Sequence, residues 1–212
     1  MAEELRLWAI SVDEFRQCFA APPALAQTLS GITDSLTPAD PSRSHTLLSK
    51  LGPLLRRPPA APLIRPMVPN QADAEAMMTS RFIASDRLGA CWILAQAWLD
   101  HLAAAHTTIP LPRAQIDELE FDLVRVGVPT ELSIRQLWRR GVDIPLRPTD
   151  DMSIGYTPYD IVLETASQWA AALPDLEEAT AGFAAPIAAF LASFPEYAES
   201  QPLDLIAWWT SR

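Results

Sequence analysis

The run from residue 85 to residue 105, SDRLGACWILAQAWLDHLAAA, constrains the fold more than any other stretch of this 212-residue chain. Apolar residues recur in it at spacings of three and four, as on one face of an α-helix. They are Leu88, Trp92, Ala95, Leu99 and Leu102. A second apolar stripe beside the first includes Cys91 and Trp98, so we expect most of the helix to be buried. The sequence therefore predicts a buried central helix that Ser85 caps at its start.

The same helix is predicted to be too short to cross a membrane. Its unbroken apolar run ends at Gln96, short of the ~20 residues that a bilayer requires. The formal net charge of -10 also argues against nucleic acid and anionic membranes as ligands, because both need clustered cations. An acidic surface favours solubility, and it would suit a basic protein partner. We therefore expect no nucleic acid and no membrane, with a protein partner possible and the oligomeric state open.

The cysteines and the N-terminal residues indicate the cellular compartment of the protein. Cys18 and Cys91 both lie among apolar neighbours, which fits buried free thiols in a reducing cytosol, although a disulfide is the alternative. The N-terminus carries acids where a signal peptide would be positively charged. Arginine greatly outnumbers lysine, and alanine and proline are abundant, as in proteins from GC-rich bacteria. The sequence predicts a cytoplasmic bacterial protein.

Two apolar runs near the ends of the chain predict strands, at residues 5–10 and 203–209. The first passes into a helix whose start carries Ser11 and Glu14, the pair of a capping box. We expect the two strands to pair in one small sheet with helices around it. The predicted fold class is therefore α+β, helix-dominated, in a single domain that covers residues 1–212.

Residues 33–69 interrupt this pattern with Ser, Thr, Asp and then many prolines. Proline at that density removes amide donors and prevents regular helix, although residues 45–51 are a short helical candidate. We interpret the segment as a surface crossing within one domain. The alternative is that its most proline-rich part, residues 52–69, is a peptide offered to a partner, and the sequence leaves that role open.

Capping residues and helix breakers predict several boundaries. Gly31 is expected to end a short helix at residues 24–29, and Asn70 is expected to cap a helix with Asp73 at its third position. Residues 116–126 read as a helical turn that passes into a strand. Residues 133–140 read as a helix.

Two later boundaries depend on proline. Thr157 is expected to cap a helix that has Pro158 at its first position and extends to residue 173. Pro186 is expected to kink or split a helix over residues 175–194 near Gly182.

The most site-like stretch brings Asp150, Asp151 and Tyr156 together in sequence. Two adjacent carboxylates beside a helix start could hold a cation or divide acid and base roles, with tyrosine as a donor. A hydrolase or transferase would use such a set. The alternative is structural, because aspartate also serves turns.

Three tryptophans are candidates for a ligand pocket: Trp92, Trp98 and Trp169. Their alternative role is core packing, where each buries roughly 150–250 Å². A further acidic cluster lies at residues 117–122, and we interpret it as a solvated face or, second, as a docking patch.

Motifs for cofactors and metals are missing from the sequence. It contains no phosphate-binding glycine loop, no H-E-x-x-H, no C-x-x-C and no G-x-S-x-G. His101 and His106 are five residues apart and would face different sides of a helix. We therefore expect no cofactor and no metal site.

Three segments together resemble a bacterial domain family of unknown function that is distantly similar to the YfbM-like proteins. They are LWAISVDEF, RFIASDRLGACWILAQAWLDHLA and DDMSIGYTPYDI. In that family a Gly-Tyr-x-(Thr/Ser)-Pro stretch introduces a helix, and Gly155-Tyr156-Thr157-Pro158 is similar though shorter. The resemblance implies the fold and carries no activity.

Three functions remain. The favoured one is a non-catalytic protein-interaction protein, of which an immunity protein is one kind. The second is a small-molecule binding module, and the third is the enzyme described above. The lack of a catalytic set favours the first.

Overall fold

The structure is a computed structural model that describes residues 3–36, 68–198 and 201–211. Most of the proline-rich segment lies outside these residues, as does the helical candidate at 45–51, so both remain predictions. Of the residues in this segment that the structure describes, 33–36 belong to a helix and not to a proline-rich crossing, and 68–69 lie just before the helix that Asn70 caps.

One antiparallel sheet forms the middle of the molecule. Its strands are β1 (Glu3–Ile10), β2 (Ala105–Pro110), β3 (Met152–Thr157) and β4 (Asp204–Ser211), in the order β2-β1-β4-β3. The two terminal strands pair along their whole length, with Leu7 opposite Ala207. This pairing confirms the α+β class and the sheet of terminal strands.

Helices cover both faces of the sheet. They are α1 (Val12–Gln17), α2 (Pro23–Leu36), α3 (Gln71–Met78), α4 (Leu88–Leu102), α5 (Arg113–Arg125), α6 (Tyr159–Ala172), α7 (Glu178–Ala192) and α8 (Phe194–Tyr197). Successive side chains of a strand point to opposite faces, so β1 contributes to two cores. Leu5 and Leu7 join the core beneath α5 to α8, whereas Trp8 and Ile10 join the core beneath α1 to α4.

The central helix is shorter than predicted at both ends. A 3₁₀ turn, Ser85–Arg87, precedes it, and Ser85 makes no capping bond, which corrects the predicted N-cap. At the other end the chain leaves the helix after Leu102, because the N–H of Ala104 bonds to the carbonyl of Ala9 at 2.9 Å and draws the chain into β2. The prediction that most of the helix is buried holds only in part, because seven of its fifteen residues are buried and seven others are half-buried, with His101 exposed.

Three predicted breaks are wrong. Helix α2 continues through Gly31, where glycine costs roughly 1 kcal/mol that the buried face of the helix offsets. Residues 116–126 do not pass into a strand, because α5 is helical up to Arg125. Helix α7 is not split at Pro186, since Ile187 and Leu191 are fully buried on its inner face and hold the helix together; the alternative of a kink at Pro186 stays a prediction.

Candidate functional site

The structure separates the three residues of the predicted catalytic set. Asp150 is exposed in the turn before β3. The Asp151 carboxylate accepts a bond from the hydroxyl of Thr149 in its own turn, and its carbonyl accepts one from the N–H of Ser211 at 2.9 Å. Tyr156 lies at the far end of β3, about 16 Å away at ~3.3 Å per residue. The two aspartates therefore shape a turn, and the tyrosine does not lie beside them.

Tyr156 makes one contact through its ring and another through its backbone. The Arg16 guanidinium lies over its ring, 5.5 Å from the centroid. Burial lowers the pKa of that guanidinium, but its interactions with Asp13 and Tyr156 outweigh this effect and the pKa is raised. The Tyr156 backbone N–H donates to the carbonyl of Arg140 at 2.9 Å. The residue thus ties β3 to α1 by its ring and to the preceding loop by its backbone.

The three candidate tryptophans lie in two separate cores. Trp92 and Trp98 are fully buried beneath α1 to α4. Trp92 donates to the carbonyl of Arg147 at 2.8 Å, and its ring contacts that of Trp208, with 5.0 Å between the centroids. Trp169 lies on the other side of the sheet and donates to the carbonyl of Leu132 at 2.8 Å. The geometry matches the packing interpretation and does not bring the three together around a ligand.

A cleft of about 620 Å³ lies at the edge of the sheet beside β3. Two 3₁₀ turns, Thr130–Leu132 and Ile134–Trp138, form one wall in place of the α-helix predicted for residues 133–140. They pack tightly against β3, since a Cβ placed on Gly155 would lie 2.1 Å from the carbonyl oxygen of Trp138. The start of α6 forms the opposite wall. Thr157 does not cap that helix, because its hydroxyl donates to the Leu137 carbonyl at 3.1 Å and Pro158 is the N-cap residue.

Charges of both signs line this cleft. Arg139 and Arg140 contribute guanidinium groups, and Glu131 and Glu164 contribute carboxylates. All four side chains are exposed, and Arg139 also donates to the Gln136 amide oxygen at 3.1 Å. The volume lies within the range of small-molecule sites, roughly 300–1,000 Å³. The cleft suits a ligand that carries both a positive and a negative group.

The outer face of α5 exposes apolar side chains among acidic ones. Phe121 is 73% exposed and Val124 is 43% exposed, although Leu119 and Leu123 of the same helix are fully buried. Asp117 and Glu118 lie one helical turn before Phe121 and are exposed too. We call these four residues, Asp117, Glu118, Phe121 and Val124, the α5 patch.

Part of the acidic cluster at residues 117–122 is not a solvated face. Asp122 is only 3% exposed and accepts bonds from the backbone N–H of Glu177 at 2.9 Å and from Thr180. Burial alone would raise its pKa, but these bonds and Arg125 lower the pKa below its ordinary value. Asp122 therefore caps the start of α7, while Asp117 and Glu120 pair with Arg135.

Sequence reasoning singled out the acidic residues of α5 but not Phe121. The sequence did indicate that Phe121 is exposed, because on a helix it lies outside the apolar stripe of Ile116, Leu119 and Leu123. The mixed interpretation of residues 116–126 as helix and strand concealed that signal.

Among residues 3–36, 68–198 and 201–211, no group of three His, Cys, Asp or Glu side chains could hold a metal ion. In the same part of the chain no helix is long and apolar enough to cross a membrane.

No family model matches the sequence, and no curated protein or solved structure is significantly similar to it. The resemblance to the YfbM-like proteins therefore stays a prediction.

Proposed function

We propose that this chain is a cytoplasmic bacterial protein that acts by binding a protein partner, in the manner of an immunity protein, and not by catalysis. The observation that supports this most is the exposure of Phe121 in the α5 patch. The same fold buries Trp8, Trp92 and Trp208 almost completely, so it has the means to cover large apolar side chains. Exposed apolar residues that adjoin one another are typical of protein interfaces.

The surroundings of Phe121 define the partner's chemistry. Glu118 lies beside it on the helix surface, whereas the charge of Asp117 is paired with Arg135, and the whole chain carries a formal charge of -10. A matching surface would present an apolar pocket bordered by Lys or Arg, which would speed association and exclude acidic competitors. Burying the phenylalanine ring there would contribute about 1.5–3 kcal/mol. An aromatic anchor of this kind is a common interface hot spot.

The α5 patch is also held in place before binding. Arg135 pairs with Asp117 and with Glu120 on the helix, while Asp122 joins α5 to the start of α7. Because the helix is fixed from both sides, little conformational freedom would be lost on association. Preorganisation supports the patch as a docking surface and not as a frayed helix face.

A cytoplasmic location is supported by the cysteines. Cys18 and Cys91 are both free and buried, as in proteins of a reducing compartment.

A capture experiment with matched variants tests this function. The tagged protein, Phe121→Ser and Phe82→Ser would each be incubated with extract from the source organism. Phe82 is the control because it is 90% exposed, yet it lies in the loop before α4 on the opposite side of the sheet. We expect one protein to be retained by the parent chain and by Phe82→Ser but lost with Phe121→Ser. Equal retention by all three, or no retention by the parent, would contradict the proposal.

The cleft beside β3 supports a second candidate, a small-molecule binding module. Its guanidinium and carboxylate groups face one space of about 620 Å³, which suits a zwitterion such as an amino acid or a short peptide. A thermal-shift screen of amino acids and dipeptides would test it, since ligands of the native state raise the melting temperature. Stabilisation that disappears in Arg140→Gln supports this candidate, whereas an unchanged melting temperature throughout the screen argues against it.

A further inference from the structure

One wall of the cleft beside β3 runs antiparallel to α6. At one end of this wall, the indole N–H of Trp169, in the third turn of α6, donates to the Leu132 carbonyl at 2.8 Å. At the other end, the N–H of Tyr156, just before α6, donates to the Arg140 carbonyl at 2.9 Å. The chain from residue 132 to residue 140 therefore passes from the later turns of α6 back to the start of that helix.

This course separates the charges of the cleft by sign. Arg139 and Arg140 lie beside the start of α6, whereas Glu131 lies beside its later turns. Glu164 is on α6 itself, five residues after the helix begins at Tyr159. At 1.5 Å per residue, these five residues span about 8 Å. The cleft therefore has a positive end and a negative end that are about 8 Å apart.

None of these four charges is neutralised by an ion pair. The two arginines and the two glutamates form no salt bridge with one another or with another side chain among residues 3–36, 68–198 and 201–211. Arg139 donates instead to the neutral amide of Gln136, at 3.1 Å. Because attraction between opposite charges weakens with distance, the lack of a pair across the cleft agrees with the separation of its two ends.

The surface between the two ends is mainly apolar. Ile161 lies on α6 between Pro158 and Glu164, and Pro129 and Leu132 line the opposite wall. A ligand amide placed there would lose bonds to water without replacing them, whereas methylene groups are stabilised against such a surface. Lysine and arginine side chains match this arrangement, since an apolar stem carries a charged head.

We propose that the cleft binds the carboxyl-terminal residue of a polypeptide that ends in lysine or arginine. The α-carboxylate pairs with the guanidinium groups of Arg139 and Arg140. The apolar stem lies on Ile161, and the charged head reaches Glu131 and Glu164. This inference rests on the second candidate function, because it names the ligand class of the same cleft.

The length of a lysine residue matches the distance between the two ends. Its four-carbon stem holds the ammonium group about 6 Å from the α-carbon. The carboxylate oxygens extend about 2 Å in the other direction. The two charged groups are thus about 8 Å apart, as the two ends of the cleft require.

Other zwitterions fit the cleft less well. In a free amino acid the ammonium and the carboxylate are attached to one carbon atom and lie about 3 Å apart, so their charges cannot reach both ends. Free lysine would also bring its α-ammonium next to the two arginines, where like charges repel. In a peptide this nitrogen belongs to a neutral amide. A dipeptide of apolar residues would place an amide against the apolar surface, where it lacks a partner.

Calorimetric titration of the parent chain with three peptides tests the assignment. They are acetyl-Gly-Ala-Lys with a free carboxylate, the same peptide with a terminal carboxamide, and acetyl-Gly-Ala-norleucine with a free carboxylate, which keeps the stem but lacks the ammonium. We expect the first peptide to bind about fivefold more tightly than each of the others, the upper range for a charge pair at an exposed site. Equal binding of all three, or no binding of the first at up to about 1 mM, would overturn the proposal.

Two variants assign each charge to its end of the cleft. Arg140→Gln should reduce the preference for carboxylate over carboxamide but keep the preference for lysine over norleucine, and Glu164→Gln should do the reverse. Arg113→Gln is the matched control, because this arginine is exposed but lies outside the cleft; both preferences should persist in it. All three side chains are exposed, so the variants should fold. Two variants that lose the same preference, or that both keep the two preferences, would contradict the assignment.

The same measurements separate this inference from the second candidate function. Free amino acids or apolar dipeptides that stabilise the parent chain but not Arg140→Gln would support ligand binding in the cleft. If the three peptides then bound equally, the carboxyl-terminal lysine would be ruled out while the binding module remained. If none of these compounds bound, both the inference and the second candidate function would be wrong.

Discussion

Asp122 on α5 accepts a hydrogen bond from the backbone N–H of Glu177, 2.9 Å away, at the start of α7. The two residues are 55 positions apart in sequence. The same carboxylate also accepts from Thr180, three residues into the helix. A buried side chain from one helix thus supplies the N-terminal cap of another, and α7 makes no capping bond with the side chain of its own N-cap residue, Glu177.

Replacing Asp122 by asparagine should destabilise the fold by about 1–3 kcal/mol, because a charged acceptor of several hydrogen bonds is lost. Urea unfolding at pH 7 measures this difference. Asp117→Asn on the exposed side of the same helix is the control and should stay within about 0.5 kcal/mol of the parent. Equal effects of the two substitutions would contradict the capping role.

The effect of Asp122 should depend on pH. Its folded-state pKa is lowered, so its contribution is present above the unfolded value of about 4 and is lost as the pH falls through the folded pKa. The difference in unfolding free energy between the parent and Asp122→Asn should therefore be constant from pH 7 to about 5 and shrink below about 4. If the difference in unfolding free energy grew toward acid pH, the folded-state pKa of Asp122 would have to be raised and not lowered.

Two glycine substitutions should have opposite effects. A Cβ at Gly155 would meet the Trp138 carbonyl oxygen at 2.1 Å, so Gly155→Ala should destabilise by about 1–3 kcal/mol or more and disturb the cleft beside β3. A Cβ at Gly31, inside α2, would meet no atom within 4 Å, so Gly31→Ala should stabilise by about 0.4–1 kcal/mol. Thermal melts of both variants test this. Similar melting temperatures for the two variants would contradict the close approach of the Trp138 carbonyl to Gly155.

The sequence predicted the elements whose signals are local. The apolar period of α4 and the capping pair of Asn70 and Asp73 both appear as expected, and the pair forms a complete capping box. The terminal strands were also predictable, because runs rich in apolar and aromatic residues favour strands. Their pairing was confirmed in one sheet.

The features that were missed depend on distant contacts. Asp122 resembles its exposed neighbours in sequence, and only the approach of α7 makes it a buried cap. In the sequence Thr157 resembles a helix cap, but in the structure its hydroxyl donates to the Leu137 carbonyl instead. Hydrogen-bond partners that are distant in sequence cannot be predicted from the spacing of residues along the chain, since tertiary contacts override local preference. For the same reason the sequence could not foresee the cleft between the 3₁₀ turns and α6.

The two cysteines should be unreactive in the folded protein. Burial raises the pKa of both Cys18 and Cys91 to about 12, so almost no thiolate is present at pH 8. A thiol reagent such as DTNB should therefore label neither residue until urea unfolds the chain, when both should react. Rapid labelling of the native protein would contradict the burial of these side chains.

The most direct test of the proposed function is photo-crosslinking in living cells. A photoreactive phenylalanine analogue would replace Phe121 in one chain and Phe82 in another, since both positions are exposed and tolerate a larger ring. We predict a discrete crosslink to one basic protein from position 121 and none to that protein from position 82. The absence of any crosslink from position 121, or the same product from both positions, would contradict the claim that the α5 patch binds a partner.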